Sequence, residues 1–158
     1  YGLLLNQQDA EDVVQESFVY AFKSLQRYQP ERASFKTWLY TIAVSRSRNV
    51  HRRKQLNLVE LSHQGTHQVP APSTEMPEAA LTRRELTEAV ERALANLSPT
   101  LREAVVLRYG HGLTYREIAE VMECPPKTAE SRVRLAHAKL KEHLQPVGRG
   151  LLEDLLRI

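Results

Sequence analysis

The chain has a single cysteine, Cys124, in 158 residues. That excludes an internal disulfide and fits a reducing, cytoplasmic environment. Glycine is scarce, at six residues; a sheet protein of this length normally needs more turn formers, so a helical reading leads. No apolar run approaches membrane-spanning length, and Leu3–Leu5 is too short for a signal-peptide core. No membrane insertion of this chain is expected. The sequence holds no phosphate loop, no nucleophile elbow and no HExxH pair, so neither an enzyme nor a cofactor is expected. His63 and His67 are four apart; incidental histidines are a better reading of them than a metal site shared with Cys124. Acid, finally, is missing from the whole stretch between Glu31 and Glu60, which carries seven basic residues. The formal net charge of +3 conceals that segregation.

What is present is helical periodicity in two blocks. In the first, Val14, Phe18, Ala21, Phe22 and Leu25 recur at helical spacing, predicting an amphipathic helix from about Asp9 to Gln26 with that stripe inward. "RYQPERAS" reads as a loop broken by Pro30. Ser34 can cap a second helix that reaches about Arg53, with Phe35, Leu39, Ile42 and Val50 as its apolar stripe. From about Gln55 the pattern dissolves into "HQGTHQVPAPSTEMP", a linker that buries too little to fold alone. The second block predicts four helices. Leu86, Val90, Ala93 and Leu97 stripe the first, Ser98-Pro99 opens the next, and "GHG" at 110–112 closes it. A capping box, Thr114 to Glu117, opens a short helix with Ile118, Ala119 and Met122 inward. The last helix, about Pro126 to Leu144, turns Ala129, Val133, Ala136, Leu140 and Leu144 to the core. The expected fold class is all-α: two small helical domains joined by a flexible linker.

On the second helix Trp38, Thr41, Ser45, Arg48 and Arg52 form one ribbon at offsets of three and four. An aromatic, two hydroxyls and two guanidinium groups suit unpaired nucleic acid, because every base offers a face and every nucleotide a phosphate. Trp38 alone reads equally well as core. On the first helix Asp12 and Glu16 are a like-charge pair one turn apart, worth a few tenths of a kcal/mol of repulsion unless a basic partner docks. The two helices around "ECPPK" form a helix-turn-helix, whose second helix would enter a DNA groove. Lys127, Ser131, Arg134, Leu135 and Ala138 lie opposite its buried stripe, with Thr128 and Arg132 on the flank. Pro126 falls in a first turn whose amides need no partner. Leu135 and Glu130 leave room for contact with a protein.

Taken together, the motifs resemble a bacterial sigma factor of the sigma-70 family, extracytoplasmic-function group, over nearly the whole chain. "DAEDVVQESFVYAF" is similar to the polymerase-binding helix of region 2, and "SFKTWLYTIA" with its basic sequel to the promoter-melting helix. "LSPTLREAVVLRYGHGLTYREIAEVMECPPKTAESRVRLAHAKL" resembles region 4. The resemblance implies region 2 over 1–54, beginning upstream of Tyr1, a linker over 55–77, region 4 over 78–145 and an amphipathic tail over 146–158. It implies that Asp12, Gln15, Glu16 and Val19 meet the clamp helices of the largest polymerase subunit, with region 4 at the flap of the second-largest. Phe35, Trp38, Thr41, Ser45, Arg48, Asn49, Arg52 and Arg53 would hold the opened minus-ten strand, and the 26–34 loop a flipped base. Thr114, Arg116, Lys127, Thr128, Ser131, Arg132 and Arg134 would meet the minus-thirty-five duplex. A membrane-linked anti-sigma factor, cytoplasmic location and nucleoid association when active complete the implied picture. Ser45, Asn49, Glu123, Lys127 and Leu135 depart from the residues usual in the group.

Two turns of duplex span about 70 Å, while a linker of about 20 residues reaches roughly 65–70 Å extended and about 25 Å as a coil. A compact free form that opens on promoter binding is therefore expected. Two other functions compete: a sigma mimic that sequesters an anti-sigma factor without touching DNA, and a plain helix-turn-helix repressor. The repressor leaves 9–54 unexplained.

Overall fold

The computed structural model describes the backbone of residues 1–61 and 78–144, with side chains over 1–56 and 86–144. Every regular element among the described residues is helical: α1 (Gln7–Lys23), a 3-10 turn (Leu25–Arg27), α2 (Phe35–Leu61), α3 (Glu78–Ala95), α4 (Pro99–Val105), α5 (Tyr115–Val121) and α6 (Pro126–Leu144). A π-turn, Val106–Gly110, extends α4. The all-α expectation holds. The body of the expected linker and the tail, with His63 and His67, lie outside the described residues.

The stripe expected on α1 is corrected. Val14, Phe18, Phe22 and Leu25 are exposed, Phe22 at 82%, and the buried face is Ala10, Val13, Ser17 and Ala21. Small side chains let α1 and α2 approach closely, and the buried hydroxyls satisfy themselves on their own helices. Ser17 Oγ donates to the Val13 carbonyl at 2.6 Å, and Ser47 Oγ to that of Ala43 at 2.9 Å. α1 also begins earlier than expected, at an Asn6 cap whose side chain accepts from the Asp9 amide.

α2 outruns its expected end and reaches Leu61, since no proline or glycine follows Arg53 until Gly65. It is buried on two sides. Ile42 is buried with Leu39 and Val50 partly so, while Phe35 is 45% exposed and leaves the expected stripe. Val44, 1% exposed, plugs into the core of the second block among Ala104, Leu107, Leu113, Ile118 and Val133. Ser34 caps α2 as expected, its Oγ accepting from the Thr37 amide at 3.1 Å.

The second block follows its pattern closely. α6 turns the five expected residues inward. One end packs with α4 and α5; the other closes a second core with Ala89, Ala93, Leu97 and Val105. The Thr114–Glu117 capping box is formed in both directions. Ser98 occupies the N-cap of α4, but its side chain makes no capping hydrogen bond. Arg102 is buried and does another job: its guanidinium donates to the carbonyls of Leu94, Ala95 and Leu97, at and just beyond the end of α3. Gly112, at φ +67°, makes the turn into α5.

Candidate functional site

The outer face of α2 is built from the expected ribbon. Phe35 and Trp38 join Tyr28 from the preceding loop in an aromatic cluster, with ring centroids 5.2–5.7 Å apart. Trp38 is half-buried, between the two readings left open for it. One cleft then runs along Trp38, Thr41, Ser45 and Asn49, walled by Tyr20 and Arg46. Thr41 Oγ1 bonds back to the Thr37 carbonyl at 3.0 Å; Arg52 lies exposed and reaches Asn49 Oδ1 at 3.2 Å. Arg53 is not part of this cleft: it faces the α1 side with Asp9, Asp12 and Lys54.

Arg48, the central cation of the ribbon, is engaged. Its Nε and Nη2 donate to the two carboxylate oxygens of Glu103 at 2.9 and 2.7 Å. That fork-to-fork pair holds the Arg48 guanidinium above its ordinary pKa, chiefly through the hydrogen bond itself. Glu103 comes from α4 and is almost wholly buried. Three more contacts join the same helix to the second block. Thr37 Oγ1 donates to Glu117 Oε1 at 3.4 Å, Lys36 Nζ to the His111 carbonyl at 2.9 Å, and the Tyr40 hydroxyl meets His111 Nδ1 at 2.9 Å. Burial, then Lys36, push the His111 imidazole below its ordinary pKa. Glu123 reaches the Trp38–Asn49 cleft from the α5–α6 turn. None of Glu103, Glu117, His111 or Glu123 was expected here.

Asp12, Gln15, Glu16 and Val19 are all exposed on α1. The basic partner that the acidic pair called for is in part internal. Arg46 Nη1 lies 2.7 Å from Glu16 Oε2 while its guanidinium covers the Tyr20 ring, and Lys54 pairs with Asp9. On α6, Lys127 and Arg134 are exposed and Thr128, Ser131 and Arg132 half-buried, one polar face as expected. Thr114 is spent largely on its cap, and Arg116 stands exposed within 4.0 Å of Glu120. Leu135 is 49% exposed beside them. The 26–34 loop lies against α5, sharing a shallow hollow with Arg116, Glu117 and Glu120. No cluster of three metal-ligating side chains occurs among the described residues, and none of their helices is long and apolar enough to cross a membrane.

Comparison with known proteins adds two family matches: sigma-70 region 2 over residues 1–56 and sigma-70 region 4 over residues 87–140. The ECF RNA polymerase sigma-E factor of Haemophilus influenzae is 35% identical over 158 aligned residues, covering 92% of this chain and 82% of that protein. The RNA polymerase sigma-H factor of Pseudomonas aeruginosa is 35% identical, covering 89% and 75%. Among solved structures, the sigma factor RpoE of Bartonella quintana in complex with the anti-sigma factor NepR has the same fold, at a TM-score of 0.73 and 24% identity over 91% of this chain and 86% of that one. CnrH in complex with the cytosolic domain of CnrY aligns at 0.65 and 28% identity, covering 92% and 77%.

Proposed function

We propose that this chain, which belongs to the extracytoplasmic-function group of the sigma-70 family, directs core RNA polymerase to particular promoters and helps open their minus-ten DNA. The observation that carries the reading is a pair of nucleic-acid faces on one chain: the aromatic, hydroxyl and cation ribbon of α2, and the basic outer face of α6. The division proposed is region 2 over 1–54, linker over 55–77, region 4 over 78–145 and tail over 146–158, with α2 continuing into the linker.

The chemistry is non-covalent. Phe35 and Trp38 offer stacking surfaces, each worth about 1–3 kcal/mol per stacked base. Thr41, Ser45 and Asn49 supply hydrogen bonds, and Arg48 and Arg52 take phosphates. Arg53, facing α1, we leave out of the strand contact. Stacking traps bases once they leave the duplex, so opening becomes favourable without any bond being made by this chain. On α6, Lys127 and Arg134 anchor the duplex backbone while Thr128, Ser131 and Arg132 lie where base edges pass. On α1, Asp12, Gln15, Glu16 and Val19 adjoin the exposed Val14, Phe18 and Phe22. An apolar patch rimmed by acid supports a protein-docking face, here for the polymerase clamp helices, with region 4 at the flap. The chain would work in the cytoplasm and on the nucleoid. One of the solved structures compared is a sigma factor bound to an anti-sigma factor, and the other is bound to a cytosolic domain of its partner; both support control of this chain by a membrane-linked anti-sigma factor.

The test is reconstitution with core polymerase, selection of bound fragments from genomic DNA, and run-off transcription on them. Transcripts from promoters sharing two elements are expected, with Trp38→Ala lowering open-complex formation while retaining duplex binding. Silence on every selected fragment, with anti-sigma binding intact, would establish the mimic instead.

A further inference from the structure

We infer that Leu135 is a base-reading residue of α6, recognising the C5-methyl group of a thymine in the major groove of the minus-thirty-five element. This role rests on the reading of α6 proposed above and names what one end of that face discriminates. Leu135 is 49% exposed, and no other large apolar side chain of α6 is exposed. A protein-docking surface needs a contiguous apolar patch. Here the neighbours one turn away are Ser131, Arg132, Ala138 and Lys139, so a single aliphatic group stands among cations and small side chains.

Its place on the helix assigns it to DNA. Leu135 lies two turns beyond Thr128 and within about 20° of it around the helix, with Ser131 and Arg132 between them, one to each side. Lys127 and Arg134 are exposed along one edge of this line and Lys139 along the other, so both walls of a groove can be met while the line faces its floor. Two exposed acids fix the orientation: Glu130, about 140° around the helix from Leu135, and Glu142, the next residue on the line. Phosphates repel both, which turns the Glu130 side away from the duplex and ends the reading line at Leu135. From Thr128 to Leu135 the helix rises about 10 Å, or about three base-pair steps. Of the four bases only thymine presents an apolar group on its major-groove edge. A leucine can neither donate nor accept, so beside any other base it leaves polar edges without partners. Beside thymine it takes a methyl group and its own surface out of water.

The experiment uses holoenzyme reconstituted from the whole chain and core polymerase, with duplex fragments selected from genomic DNA. Each thymine of the minus-thirty-five element, on either strand, is replaced in turn by deoxyuridine, which removes the methyl group and keeps every hydrogen-bonding group. Competition binding at fixed salt compares wild type with Leu135→Ala, an exposed helical position where alanine preserves the helix. At one thymine the replacement should weaken wild-type binding about three- to fourfold and leave Leu135→Ala binding unchanged. The cycle isolates the contact, since any effect of deoxyuridine on the duplex itself is common to both proteins. An equal response of the two proteins at every position overturns the role of Leu135, as does a selected element without thymine on either strand. Lys127→Gln and Arg134→Gln, measured on the same duplexes, separate the two levels of failure. If either weakens binding, the reading of α6 stands without Leu135; if neither does, or if no fragment is selected, that reading falls and the role of Leu135 with it.

Discussion

Glu123 stands at φ +52° in the turn between α5 and α6, in the left-handed region where a side chain meets the following carbonyl. A non-glycine residue there is disfavoured by roughly 1–2 kcal/mol. The Cys124 amide closes the turn on the Ala119 carbonyl at 3.0 Å, so the conformation is imposed by the helices on either side. Glu123→Gly should therefore stabilise the fold by about 1 kcal/mol, read as a rise in denaturation midpoint at unchanged slope; a clear fall would refute strain at this residue. Glycine would be the ordinary solution, and the glutamate that stands in its place lines the α2 cleft. Glu103 departs from its surroundings in the same direction. It lies one turn before the buried Leu107, on an inward face where acids are rarely found without a cation. That placement is visible in "LREAVVL", and it signals a buried partner without saying which of the chain's cations supplies it.

Among the elements, legibility followed the size contrast between faces. α6 was readable residue by residue because large and small apolar groups recur on one side and charges on the other. α1 was not, since its bulkier apolar residues lie on the exposed side and its contact with α2 is made by alanine and serine. Periodicity reports where hydrophobic residues recur; how closely two helices approach depends on how small the facing residues are. Two substitutions separate these. Phe22→Ser should change stability by no more than about 0.5 kcal/mol. Ser17→Leu, which adds volume at a face 2% exposed, should destabilise by about 1–3 kcal/mol. Chemical denaturation of both checks it, and the reverse ranking would restore the stripe read from the sequence. α2 was half legible: the ribbon came from spacing, but Val44 and the contacts with Glu103 and His111 depend on a block more than forty residues away. On α6, Lys127→Gln and Arg134→Gln should each flatten the logarithmic salt dependence of duplex binding by about one unit. Titrating affinity against salt measures this, and an unchanged slope would remove either residue from the phosphate contacts.

At the scale of the whole molecule, closure should depend on pH through His111. In the closed form its ring lies against Tyr40, with Lys36 bonded to its own carbonyl. Burial, the largest cause, and the Lys36 cation lower its pKa, so the closed form binds protons less readily than an open one in which the ring is solvated. Above the ordinary histidine value of about 6.5 the ring is neutral in both forms and contributes no preference. As pH falls through about 6.5 towards the depressed value, only the open form takes up the proton, and closure weakens progressively. Glu117, whose carboxylate is stabilised by the Thr114 amide and hydroxyl, titrates lower and does not enter this window. Energy transfer between the two blocks should therefore decrease between about pH 7 and pH 5.5 in the wild-type chain. His111→Gln keeps a hydrogen-bonding partner for Tyr40 but cannot titrate, and should hold its transfer level over the same range. A parallel decrease in both proteins would assign the opening to some other group, and no decrease in either would mean that the imidazole stays solvated in the closed form.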